Sequence, residues 1–168
     1  MSGGLDSSVA ASMAHGDGVE VIPVFVQYGQ LAMERELAAC RRQCAAIGLA
    51  DPVVVDVAGF GRSVPSGLTN ALLRVNEDAF LPGRNLLFLL IGAAVAYSRN
   101  ASGVVIGLLD ERSRLFPDQS REFVNRAEEM LALALGRDIR IVAPLIEMTK
   151  QQVMSVAAEL GLAPIPFS

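Results

Sequence analysis

Along this chain, blocks of apolar residues change period repeatedly, between the spacing of helices and the unbroken runs of buried strands. Residues 7–15 are short and Ala-rich and predict a first helix. Residues 19–26 (VEVIPVFV) form a β-branched, apolar run of the kind found in parallel strands buried on both faces. Over 32–47, Leu37, Cys40, Cys44 and Ile47 recur on one helical face. Residues 52–57 (PVVVDV) predict a second strand. The periodicity fades over 58–82, where Gly, Ser, Pro and Asn are scattered, which predicts a long connection of the kind that carries function or moves. A strongly apolar helix is expected over 85–99 and a strand over 103–108 (GVVIGL). An amphipathic helix follows over 120–135, with Ser120 as N-cap and Gly136 as its stop. A short strand over 139–143 leads to a last helix over 150–160, capped by Thr149 and stopped at Gly161. Strands parted by helices predict a doubly wound parallel α/β sheet in three layers, joined by right-handed crossovers. Ligands of such sheets sit beyond the carboxyl ends of the strands.

Composition narrows the classes. A chain of 168 residues is about one domain long. A hydrophobic share of 52% against 19% charged residues excludes a disordered segment. The net charge of −4 gives no reason to expect nucleic acid as a partner. Two cysteines are no disulfide framework, and the first residues are small and polar rather than basic then apolar, so a cytoplasmic protein is expected. The longest apolar stretch, residues 86–97, is twelve residues long. A membrane span needs about 20, so this stretch predicts a buried helix and no membrane partner. Lys150 is the sole lysine among fourteen basic residues, and arginine cannot imitate a compact ammonium at a tight site.

The chemistry begins at Ser2-Gly3-Gly4-Leu5-Asp6-Ser7-Ser8, directly before a helix. Two glycines let the backbone turn sharply and approach a ligand, and the amides that follow offer an anion site. Ser2, Ser7 and Ser8 add hydroxyl donors. Asp6 would repel a bare phosphate, so it suggests a Mg²⁺ ion bridging it to pyrophosphate. No G-x-x-x-x-G-K-[ST] is present, so this is not a Walker loop.

The loop resembles the S-G-G-x-D-S signature of the PP-loop ATP pyrophosphatases, with their adenine nucleotide alpha hydrolase-like fold. That resemblance implies cleavage of ATP between its α and β phosphates, adenylating an acceptor oxygen before a nucleophile displaces AMP. Further segments are Tyr28-Gly29-Gln30, Phe80-Leu81-Pro82-Gly83-Arg84-Asn85, the stretch from Gly107 to Phe116-Pro117-Asp118, and Pro144-Leu145 ahead of Lys150. Together they resemble the family of 7-cyano-7-deazaguanine synthases, over residues 2–162. The resemblance implies an enzyme that uses ATP and ammonia to turn the carboxylate of 7-carboxy-7-deazaguanine into a nitrile. It implies ATP contacts at Ser2, Gly3, Gly4, Asp6, Ser7, Ser8, Tyr28 and Gln30. Catalytic roles fall on Asp6, Arg84 and Lys150, because cations must offset the charge that gathers between two anions. Arg84, Asn85, Asp110 and Asp118 are the candidates for substrate binding. Either aspartate suits Mg²⁺ or a base edge, and the family pattern favours Asp118. A homodimer is implied as well.

The chain departs from the family pattern at three points. Arg112 stands where the family has an Asp, and Gln119 where it has a Cys. The family's first strand and its four-cysteine zinc site fall outside these 168 residues, which read as one PP-loop domain, 1–168. Cys40, Cys44 and His15 cannot complete the four ligands of structural zinc, and both cysteines read as core residues. Two other readings stay open: a PP-loop ligase or sulfur-transfer enzyme with a different acceptor, and an ATP-binding module without turnover.

Overall fold

The computed structural model describes residues 1–74, 78–110 and 116–162. The elements are α1 (Leu5–Gly16), β1 (Val24–Gln27), α2 (Met33–Ile47), β2 (Val53–Asp56), α3 (Gly59–Ser63), α4 (Arg84–Ser98), β3 (Gly103–Val105), a 3₁₀ turn (Pro117–Gln119), α5 (Arg121–Leu135), β4 (Arg140–Val142) and α6 (Lys150–Glu159). β1 pairs in parallel with β2, Val24 opposite Val53, and β3 pairs in parallel with β4, Gly103 opposite Arg140. Helices connect the strands of each pair, so the architecture is the expected α/β type with parallel strands.

Local sequence explains most boundaries. The Ser120 hydroxyl accepts a hydrogen bond from the Phe123 amide at 3.1 Å, and Gly136 ends α5 in the left-handed region at φ 63°. Thr149 and Gln152 form a reciprocal capping box at the start of α6. The first strand is shorter than its apolar run: 19–23 is not strand, and regular pairing begins only after Pro23, whose ring leaves it no N–H to donate. The connection over 58–82 contains α3 and buried residues, Ser66 and Leu81 among them, so at these points it is packed rather than loose.

Among the described residues three apolar clusters hold the helices and strands together. Leu89, Ala93 and Ala96 of α4 meet Val124, Ala127 and Leu131 of α5 over Ile139 and Ile141. Val9 and Ala10 of α1 meet Val153 and Ala157 of α6 around Leu145. Phe25 of β1 packs with Cys40 and Cys44 of α2. The expected core role of both cysteines is what the structure has. The expectation of a buried α4 needs correction, because Leu86, Leu90 and Tyr97 are exposed along one side. A helix that is apolar all round gives no periodic sign of which face meets the core, so that exposure could not be read in advance.

Among the described residues the two strand pairs are not joined by strand pairing to one another. Met1 is tied to β1 and α2: its amine donates to the Val24 carbonyl, and its own carbonyl accepts from the Cys40 thiol.

Two predictions follow from packing. Leu89 is fully buried, so Leu89→Ala should cost about 2–5 kcal/mol in urea denaturation, against about 0.5 kcal/mol or less for Leu133→Ala, whose side chain is exposed. Burial pushes the Cys44 thiol from its ordinary value up to about 12, since a thiolate there would lose its hydration. Its thiolate fraction at pH 8 is then about one in ten thousand, so native protein should resist iodoacetamide there until urea unfolds it. Rapid native alkylation at Cys44 would contradict the buried placement.

Candidate nucleotide and acceptor site

The loop before α1 is built from backbone and hydroxyls. Gly3 takes φ 79°, and a Cβ there would stand 2.7 Å from both the Glu36 carbonyl and the Cys40 amide of α2. From the other side, Gly107 presses on the backbone of Asp6 and Ser7, with a virtual Cβ 2.8–2.9 Å from their atoms. Only glycine permits either approach. Within the loop, Ser2 Oγ and Ser7 Oγ lie 3.1 Å apart, and the Gly4 amide donates to Ser2 Oγ at 3.3 Å. The Ser7 and Ser8 hydroxyls both donate to the Gly4 carbonyl, at 3.0 and 2.9 Å. Ser8 is fully buried, so its hydroxyl braces the loop from beneath. No side chain caps α1, which leaves its first amides for a ligand.

Lys150 comes to this loop across nearly the whole chain. Its Nζ donates to Asp6 Oδ1 at 2.6 Å, and both side chains are partly exposed. The capping box holds Lys150 at the first position of α6, and Gly107 fixes the backbone of Asp6. The pair is therefore set by two helix starts facing each other.

A second group gathers at the carboxyl end of β1. Gly29 turns at φ 94° against the Ala58 carbonyl, and the Tyr28 amide donates to Gln30 Oε1 at 2.9 Å. Gln30 is buried, and its Nε2 donates to the Val26 carbonyl at 3.2 Å and to Glu36 Oε2 at 3.1 Å. Arg84 enters from the start of α4, where Gly83 takes φ 76°. Its guanidinium stands 6.0 Å from the centre of the Phe88 ring, whose centre is 5.5 Å from that of Tyr28. Burial raises the Tyr28 phenol above its usual range, while the Arg84 charge and contact oppose the rise. Burial likewise raises the Glu36 carboxyl, against the Gln30 hydrogen bond and the charges of Arg84 and Arg35.

The third group lies beside Arg84. Asn85 is buried and donates through Nδ2 to the Asp118 carbonyl at 3.0 Å, while its amide reaches Asp118 Oδ2 at 3.4 Å. Asp118 Oδ1 is shut away from water with no hydrogen-bond partner. Phe80 and Phe116 stack nearby, with ring centres 4.9 Å apart. Gln119 has a structural part here, its side chain accepting from the Phe116 amide at 3.0 Å and closing the turn. Asp110 is buried after β3, with its amide on the Met148 carbonyl at 3.1 Å. Arg112 lies outside the described residues.

The structure thus joins Asp6 to Lys150 and sets Arg84 over Phe88, which in turn meets Tyr28; Asn85 and Asp118 form a separate pair. Glu36 was not among the sequence candidates, yet it links the first two groups: its carbonyl lies under Gly3 and its carboxylate binds Gln30. Its sequence signal is positional, an acid four residues before Cys40 on the stripe that α2 buries. The residues present do not fit structural zinc, because Cys40 and Cys44 are enclosed in the core while His15 is exposed at the end of α1. No group of three or more His, Cys, Asp or Glu among the described residues is placed to hold a metal ion. No helix among them is long and apolar enough to cross a membrane.

A glycine-turned, uncapped helix start at the carboxyl end of a parallel α/β sheet, carrying S-G-G-x-D-S, defines the PP-loop class. Two solved structures share the fold. One is described as a predicted subunit of tRNA methyltransferase from Methanocaldococcus jannaschii, 16% identical, with TM-score 0.63 over 95% of this chain and 72% of that one. The other is the U34-tRNA thiolase NcsA of Methanococcus maripaludis, 17% identical, with TM-score 0.60 over all of this chain and 58% of that one. At such identities the likeness is one of fold. The family model described as "Queuosine biosynthesis protein QueC" matches residues 1–167, and the chain belongs to that family. Among its curated relatives is the 7-cyano-7-deazaguanine synthase of Methanothermobacter thermautotrophicus, 32% identical across 96% of this chain and 78% of that protein. The synthase of Campylobacter concisus is 29% identical across 96% of this chain and 77% of its own length.

Gly3→Ala tests the loop geometry. It should cost at least about 1–2 kcal/mol from the left-handed backbone alone and should abolish ATP binding in calorimetry. Gly48→Ala, at φ 86° with open space around it, should carry the backbone cost and leave ATP affinity unchanged. Equal ATP affinity in both variants would contradict the close approach at Gly3.

Proposed function

We propose that the chain converts 7-carboxy-7-deazaguanine and ammonia into 7-cyano-7-deazaguanine, consuming two ATP and releasing two AMP and two pyrophosphate. The observation that carries this reading is the Asp6–Lys150 contact at the Ser-Gly-Gly-Leu-Asp-Ser loop, in a chain that its family model matches over residues 1–167. The chemistry accounts for the residues. A carboxylate is a poor electrophile, and transfer of AMP to one of its oxygens supplies a leaving group. Ammonia attacks the acyl carbon, AMP departs, and the amide forms with loss of a proton. A second adenylation, on the amide oxygen, lets loss of AMP and the remaining N–H protons leave the nitrile.

In this scheme the free amides of α1, with Ser2 and Ser7, receive phosphate oxygens, and Ser8 keeps the loop in shape. Asp6 fits Mg²⁺ carried by ATP, since such ions are held by one or two carboxylates together with substrate phosphates; that ion would neutralise charge on the pyrophosphate. Lys150 then moves its compact charge from Asp6 to the phosphate chain. Arg84 forks onto the acceptor carboxylate, and Tyr28 and Gln30 form the wall beside the nucleotide. Asn85 and Asp118 face the acceptor ring, with Asp110 as a further residue for substrate binding. The partners are small molecules, with no nucleic acid and no membrane. The exposed Leu86, Leu90 and Tyr97 support a homodimer, and the unpaired thiols suit the cytoplasm.

The test incubates the protein with Mg²⁺, ATP and ammonium, with and without 7-carboxy-7-deazaguanine, and measures AMP and pyrophosphate. AMP should appear only with that carboxylate, at two per nitrile, and should fall at least about 100-fold in Asp6→Ala and Lys150→Ala. AMP release independent of it would move the acceptor to another carboxylate. ATP binding without AMP would leave a module without turnover.

A further inference from the structure

Gln30 is buried, and its polar end is turned into the protein. The Tyr28 amide can only donate, so the atom that receives it at 2.9 Å is the side-chain oxygen. That leaves Nε2 with its two hydrogens, and both are engaged: one on the Val26 carbonyl at 3.2 Å, the other on Glu36 Oε2 at 3.1 Å. Two of these bonds grip the end of β1, and the third crosses to the first turn of α2. Glu34 on that same turn is exposed, whereas Glu36 is partly buried. The backbone of Glu36 carries the contact onward. Within α2 its carbonyl and the Cys40 amide stand at the spacing of a helical hydrogen bond. A Cβ on Gly3 would lie 2.7 Å from each of them. The loop therefore rests on α2 at residues 36–40, and its seat depends on where the first turn of α2 stands relative to β1. The Gln30–Glu36 hydrogen bond is a side-chain link between those two elements.

We propose that Glu36 is a positioning residue for the phosphate-binding loop: its hydrogen bond from Gln30 sets the first turn of α2 against β1, and that turn sets Gly3 and the amides after it for ATP. This rests on the reading that the loop receives the phosphates of ATP, and not on the identity of the acceptor. Two competing roles make different patterns of loss: Glu36 acting on stability alone, and Gln30 touching ATP directly. Glu36→Ala removes the acceptor, whereas Glu36→Gln keeps an oxygen for Gln30 Nε2 and removes only the charge.

The experiment measures ATP affinity with Mg²⁺ by calorimetry on folded full-length protein. Glu36→Ala should weaken ATP about tenfold or more, and Glu36→Gln should return it to within about threefold of wild type. If Glu36→Ala does not fold, Glu36→Asp takes its place; it keeps the charge, falls one methylene short, and should weaken ATP about threefold or more. Adding Glu36→Ala to Gln30→Ala should cause no further loss, since both break one link. Leu131→Ala, in the core between α4 and α5, is the destabilised control; it should lower the urea midpoint and leave ATP affinity within about twofold. Unchanged affinity in Glu36→Ala, no recovery in Glu36→Gln, or losses that add in the double variant would overturn the positioning role. So would an equal loss of ATP in Leu131→Ala, because stability alone would then account for the effect. A wild-type protein that binds ATP and makes no nitrile would overturn the synthase reading alone; one that binds no ATP would overturn both.

Discussion

The site depends on backbone meeting backbone where no side chain can intervene. Gly3 lies on the carbonyl of Glu36 and the amide of Cys40, and Gly107 lies on the backbone of Asp6 and Ser7. Between these two contacts the loop is clamped from both sides, with its amides turned outward at the uncapped start of α1. Close-packed interiors transmit small displacements, so a shift at either glycine moves the Asp6 carboxylate relative to Lys150. The hydroxyls of Ser7 and Ser8 finish the clamp by occupying the Gly4 carbonyl. A loop so constrained meets a phosphate with little further ordering to do, which is the economy that preorganised sites share.

Much of this was legible from residues alone, and the parts that were not share a physical cause. Caps and stops are local chemistry, so Ser120, Thr149 and Gly136 marked their helices correctly. The two cysteines fell on an apolar stripe and lie in the core. What depends on long-range packing was less accessible. The run at 19–26 overstated its strand, because β-branched composition cannot say where a pairing partner begins. The apolar residues of α4 promised burial on every side, and one side faces outward. Glu36 was passed over since an acid near a helix start usually serves the dipole in solvent. Its meaning comes from Gln30 and Gly3, which only the fold brings to it.

The same distinction bears on how the chain differs from its family's pattern. Gln119, where the family has a cysteine, accepts from the Phe116 amide and closes the 3₁₀ turn that carries Asp118. A side-chain amide can do this by geometry that a thiol matches poorly, since sulfur is a weak acceptor. The turn thus has its own local support at this position. It delivers Asp118 against Asn85 with one carboxylate oxygen left without a partner, a state that costs about 1–3 kcal/mol unless something donates to it.

Charge arrangement ties these pieces together. ATP and a carboxylate repel each other, and the chain as a whole is acidic, so their approach needs local cations on rigid mounts. Lys150 is mounted by a capping box and held by Asp6; Arg84 is mounted by a left-handed glycine and stands over the Phe88 ring. Lys150 has an anionic neighbour of its own in Asp6, which limits the cost of keeping it partly dehydrated. A ligand anion entering beside Lys150 competes with a carboxylate already in place. The lone lysine and the arginine therefore differ in kind: an ammonium is a compact point charge, whereas a planar guanidinium can fork onto both oxygens of a carboxylate.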